Sequence, residues 1–203
     1  MKKIMFNNKY GLTDAVLQGR KTMTRRVVQE KYLRIYEDMS RLGQPCYPLE
    51  EWLIRKSAAY KVGEVVAVAQ SYKDIGYTKE WVEQHISPNP NANWNDLFEK
   101  KYPGWNNKMF THSELEKVRK IEITNIKVEL LQDISNEDCL KEGVLRREIM
   151  PFRTIEIKYQ VPYTVIYKDN PREAFAALID KVSGKGTWER NPWVFAYSFK
   201  LLK

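Results

Sequence analysis

Eight consecutive residues, Gly19-Arg20-Lys21-Thr22-Met23-Thr24-Arg25-Arg26, carry one amine, two hydroxyls and three guanidiniums. That density is unusual outside a site. Guanidiniums are planar forks that match phosphate oxygens, so the cluster suits an anionic ligand. Lys21 and Thr24 are three apart: they share a face in a helical turn and point to opposite faces in a strand. A solvated basic loop closing a helix has the same composition, because charge runs are usually surface features. The elements around the cluster therefore matter.

Leu12, Ala15 and Val16 have i, i+3, i+4 spacing and read as the apolar face of a short helix over 11–18. It stops at Gly19, where a glycine can take the left-handed conformation. Further on, Ser135 offers an N-cap with Asp138 at the third helical position, and Gly143 closes a helix of barely two turns whose last residue is Glu142. A carboxylate there meets the negative end of the helix dipole. Lys21 is a candidate cation to compensate it, and a solvated glutamate is the alternative.

The rest of the chain supplies a scaffold. Residues 3–6 read as a first strand, and Tyr32, Ile35, Tyr36 and Met39 give helical periodicity in a first insertion near 28–61. Val65–Ala69 is an apolar run that suits a strand buried on both faces. A second insertion near 85–116 interleaves Pro88, Pro90 and Pro103 with Trp94, Phe98, Tyr102, Trp105 and Phe110, which predicts a long irregular loop. With Lys100, Lys101 and Lys108 among them, those rings form either a base-stacking platform or pins that hold the loop down. Ile121/Ile123 shift phase to Ile126/Val128/Leu130, which predicts a bulge near Thr124-Asn125. Alternation over 155–161 and the segment 163–167 predict two strands of a ribbon. Asn170-Pro171-Arg172-Glu173 launches a helix that runs to Gly184, and Trp193–Leu201 alternates as a final strand.

At 203 residues the chain reads as one α+β domain with two insertions. Its 43% hydrophobic content lets burial offset the chain entropy that 30% charged residues would otherwise leave unopposed. The net charge of +8 tilts the choice of partner toward polyanions. Cys46, Cys139, His85 and His112 are too few and too scattered for a zinc spacing, so no metal or other cofactor is expected, and the thiols read as free and unreactive. No apolar run approaches membrane-spanning length and no signal-peptide core follows the Lys-Lys pair at the start, which predicts a cytoplasmic protein without membrane contact.

The pattern Gly19-x-Lys21-Thr22-x-Thr24-x-Arg26 resembles the signature of the ASCH domain family, PUA-like β-barrel proteins thought to bind RNA. Three further segments match in the family's order: Val62-Gly63-Glu64-Val65-Val66-Ala67-Val68, then Ile126–Ile134 running to Glu142-Gly143, then Trp188-Glu189-Arg190-Asn191-Pro192-Trp193. The resemblance spans roughly half the chain, a scale at which fold analogy is informative and function stays open. It implies a PUA-like mixed β-barrel with short flanking helices and inserted loops. Some members are similar to amidohydrolases that remove the acetyl group from N4-acetylcytidine with a lysine, a threonine and a glutamate, and by motif position those roles fall on Lys21, Thr24 and Glu142. A threonine hydroxyl needs a base to take its proton, and a lysine of lowered pKa can be that base. The chain departs from the small amidohydrolase-like members at Arg25, where they carry an apolar residue, and in its insertions.

Three functions follow. The first is a module that binds RNA or a nucleotide-type ligand in a basic cleft, with Arg20, Thr22, Arg25, Arg26 and Trp105 as contacts. The second is an amidohydrolase that deacylates N4-acetylcytidine or a related nucleoside through Lys21, Thr24 and Glu142. The third is a non-catalytic interaction protein of a mobile element. Binding is placed ahead of catalysis, and the oligomeric state is left open.

Overall fold

The computed structural model of the protein describes residues 1–44, 47–92, 98–151 and 154–202; Cys46 and Trp94 lie outside them. The fold is mixed α+β, with eight strands in two sheets and short helices among the described residues. In chain order the elements are β1 (Lys3–Ile4), α1 (Leu12–Leu17), β2 (Met23–Val27), α2 (Glu30–Arg41), α3 (Leu49–Ser57), β3 (Val65–Val68), α4 (Lys79–His85) and α5 (Phe98–Lys101). They continue with β4 (Lys120–Leu130), α6 (Asn136–Lys141), β5 (Leu145–Ile149), β6 (Glu156–Gln160), β7 (Tyr167–Lys168), α7 (Pro171–Ser183), α8 (Thr187–Arg190) and β8 (Trp193–Leu201). No helix among the described residues is long and apolar enough to cross a membrane.

Where the sequence reads as one domain, chain contacts divide it into two compact units. One holds Met1–Phe6, Val65–Ile121 and the end of the chain, and the other holds Asn7–Glu64 and Glu122–Leu201. In the first unit β1 pairs in parallel with β3, in the register Lys3↔Ala67 and Ile4↔Val68. Val66, Ala67 and Val68 are fully buried, as a continuous valine-rich run requires. Tyr102 and Trp105 of the second insertion join Tyr72 and Val82, which precede it, in a separate apolar cluster. The insertion's described residues are mostly irregular, with α5 as a single turn, yet Phe98, Tyr102 and Trp105 pack inward, Phe98 meeting Trp105 edge-on at 5.4 Å between centroids, while Phe110 is exposed. Burying a large ring contributes on the order of 2 kcal/mol, more than exposing it to wait for a ligand.

The second unit carries the Lys21 stretch. β2 runs antiparallel to β8, from Met23↔Ser198 to Val27↔Val194, and β8 lies between β2 and β4. Val194, Phe195, Ala196 and Tyr197 are all buried. Along β4 burial changes phase across Thr124 and Asn125, both exposed, as the slipped alternation predicts. The ribbon gains a strand that the alternation did not reveal, since β5 pairs with β6 and β6 with β7. Ser135 caps α6 by accepting from Asp138 N–H, and Asn170 caps α7 by accepting from Glu173 N–H. The first insertion forms α2 and α3, joined by a Tyr36–Trp52 contact at 5.5 Å.

Candidate active site

The stretch before β2 is tied down by the ends of two helices. Gly19 sits at φ +72°, in the left-handed region, and the reversal lets the Arg20 and Lys21 N–H groups both donate to Ala15 O at the end of α1. The last carbonyls of α6 would otherwise lack partners. Thr22 N–H donates to Lys141 O at 2.9 Å, and the Lys21 ammonium donates to Glu142 O at 2.7 Å. The same Nζ donates to Glu142 Oε2 at 2.6 Å. Lys21 thus meets both the negative end of the α6 dipole and the carboxylate beside it. Its side chain is 2% exposed and that of Glu142 is 6% exposed.

Gly143 follows Glu142 in a backbone conformation that favours glycine. A Cβ built there would stand 3.1 Å from Leu12 Cδ2 and 3.7 Å from Lys21 Cδ, and its φ is +110°. Gly143→Ala is therefore expected to cost more than about 1 kcal/mol, because alanine resists that backbone and crowds Leu12. Urea unfolding checks this; a variant as stable as the parent would show that α6 can end without the left-handed residue.

Arg25 completes the centre. Its Nη1 donates to Glu142 Oε1 at 3.2 Å, so each carboxylate oxygen of Glu142 faces a different cation. Its Nε and Nη2 both donate to Glu129 Oε1, at 3.0 and 2.6 Å, and Nη2 also reaches Asp138 Oδ2 at 3.3 Å. Lys141 holds the other Asp138 oxygen at 3.2 Å. Three cations thus face three carboxylates, and the Arg25 side chain is fully buried among them.

Burial pushes the Lys21 amine below the ordinary lysine range; Glu142 opposes that shift, while the Arg26 and Arg25 guanidiniums add to it. Burial would also push Asp138 up, but its hydrogen bond from Lys141 and the nearby Arg25 outweigh that and hold it below the usual range. Cys139, on α6, has its thiol pushed up to about 12, chiefly by burial, which makes it a poor nucleophile.

The structure unites Lys21, Glu142 and Arg25. Thr24 is buried one residue before Arg25, in β2, where successive side chains take opposite faces. It pairs across the ladder with Tyr197, so it shares that ring's face, and Tyr60 meets Tyr197 edge-on at 5.4 Å. Lys21, which precedes the strand, lies in electrostatic reach of guanidiniums on both faces, Arg26 on the Thr24 face and Arg25 on the other. Thr22 is half-buried, and Arg20 and Arg26 are exposed.

Two expected ligand contacts need correction. Arg25 is not an open fork for phosphate, because carboxylates already occupy its Nε and both terminal nitrogens. Trp105 is not a stacking platform, because it is buried with Tyr72, Val82 and Tyr102 in the first unit. Glu129, Asp138 and Lys141 escaped the sequence reading. Asp138 reads there only as a capping residue. Glu129 carried a usable signal, since it lies between Val128 and Leu130 on a strand and keeps 16% side-chain exposure. Among the described residues no group of three or more His, Cys, Asp or Glu is placed to hold a metal ion. No family model, no curated protein and no solved structure matches the chain.

Proposed function

We propose that this chain is an ASCH-type protein with a PUA-like barrel arrangement, and that its Lys21–Glu142 pair is the acid–base centre of an amidohydrolase acting on an N-acylated cytosine or a related modified base. The observation that carries this reading is the buried Lys21 ammonium, bonded to the carbonyl and carboxylate of Glu142 at 2.7 and 2.6 Å. A buried ion pair is a weak source of stability, because apolar residues of the same shape usually serve as well or better. A buried lysine whose pKa is lowered, beside a fixed carboxylate, suits a residue that accepts and returns a proton.

In this reading Lys21, once neutral, takes the Thr24 proton as the hydroxyl oxygen attacks the amide carbonyl. The carbon–nitrogen bond breaks, the leaving amine collects a proton through Lys21 and Glu142, and water then hydrolyses the threonyl ester to acetate. Arg25 fixes Glu142 and does not contact substrate.

A second reading, a module that binds RNA or a nucleotide, is supported by the exposed Arg20 and Arg26 at the same stretch. The experiment that separates the two is chromatography of N4-acetylcytidine incubated with purified protein. Cytidine and acetate are expected. Intact substrate across a panel of acylated nucleosides would leave the binding module.

A further inference from the structure

β5 starts three residues after Glu142 and is the outer strand of its sheet: β6 pairs along one side, and no strand pairs along the other among the described residues. An open edge of this kind is a template for another strand. Its sequence, Leu145-Arg146-Arg147-Glu148-Ile149, is complementary to itself when two copies run antiparallel about Arg147. Leu145 then faces Ile149, Arg146 faces Glu148, and both pairs recur on the other side of the axis. A one-residue slip in either direction sets a charge against Leu145 or Ile149 and loses the match. Arg146 and Glu148 lie on one face of the strand, bonded to each other at 3.3 Å, and with side chains 54% and 61% exposed they can exchange that surface pair for the same pair across the seam. The like-charged contact at the axis is relieved because Arg147 leans inward across the sheet, donating from Nε to Gln160 Oε1 at 2.9 Å. Beyond the strand, Met150 and Ile155 are 70% and 65% exposed, an apolar rim that a second copy would cover.

We propose that β5 is a homodimerisation edge, at which two copies of this chain join antiparallel about Arg147 and merge their three-stranded sheets across a two-fold axis. The interface is isologous, as such a symmetry demands. It rests on five residues a side and belongs to the weak, transient class of contacts. The inference is independent of the hydrolase reading.

Charge exchange tests it. Light scattering and native mass spectrometry over rising concentration should show the parent passing from monomer to dimer. R146E makes the edge acidic and E148R makes it basic, so each alone should stay monomeric. Mixing the two should give a heterodimer, and R146E/E148R on one chain should restore the homodimer. Circular dichroism identical to the parent's establishes that these exposed substitutions leave the fold intact. A parent that is monomeric at every concentration, or a dimer indifferent to the single exchanges, would overturn the proposal. So would a monomer that binds a labelled oligonucleotide through Arg146 and Arg147, which would assign the edge to a polyanion.

Discussion

Replacing Arg25 by methionine is expected to lower the free energy of unfolding by about 3–5 kcal/mol, the range for breaking a buried ion pair from one side. The loss arises because Glu129, Asp138 and Glu142 keep their burial and lose a shared cation. Arg25→Lys should recover only part of it, since one ammonium cannot reproduce the separate bonds of Nε, Nη1 and Nη2. Urea titration measures both. Acid adds a signed test. Asp138 has a depressed pKa in the folded protein, so its contribution is present above its unfolded value and lost as pH falls through the folded one. Without Arg25 that depression shrinks, and the variant should lose stability less steeply on acidification. A methionine variant within about 1 kcal/mol of the parent would mean that the carboxylates relax to water and that the cluster does not hold the site together.

Thr24→Ala is expected to reduce turnover of an acylated nucleoside by roughly a thousandfold or more, and Lys21→Arg by a similar factor, since a nucleophile and its base act as a unit. Arginine keeps the charge opposite Glu142 but does not give up its proton in a protein, so it separates a base from a cation that only attracts anions. Parallel unfolding curves guard against loss of fold at this tight position. The parent's kcat/KM should fall on acidification through the lowered pKa of Lys21, because only the neutral amine can accept the threonine proton. Stability should move the same way: the folded protein binds the Lys21 proton less tightly than the unfolded chain, so stability rises with pH between the folded pKa and the ordinary lysine value of 10.5. A Lys21→Arg protein with undiminished turnover would end the hydrolase reading.

Local chemistry made much of this molecule legible. The caps at Ser135 and Asn170, the glycine stop after α1 and the final strand β8 each depend on a few neighbouring residues, and each is present, although Val194 and Ala196 are buried as well as the Phe195 and Tyr197 rings they alternate with. Even the meeting of Lys21 with Glu142 was readable, because a carboxylate at a helix C-terminus asks for a cation. The role of Arg25 was not. Its chemistry allows phosphate or carboxylate, and only the folded chain shows Glu129 and Asp138 in its path. β5 was hidden for a similar reason: Arg146, Arg147 and Glu148 interrupt any apolar alternation, and pairing with β6 rather than propensity makes it a strand. Trp105 shows the limit of composition, since rings among lysines look the same whether they turn outward or in.

Lys21 and Glu142 are separated by 121 positions, and β2, which carries Arg25, finds its ladder partner only in β8. During synthesis, at roughly 5–20 residues per second, the Lys21 stretch therefore waits on the order of ten seconds or more before Trp193–Leu201 can pair with it. Through that interval an arginine and a lysine built for a dry setting remain in water, and closing so long a loop must precede any reward from their carboxylates. The centre is thus among the last parts of the second unit to assemble, and its ion pairs report completion of the fold rather than guide its early steps.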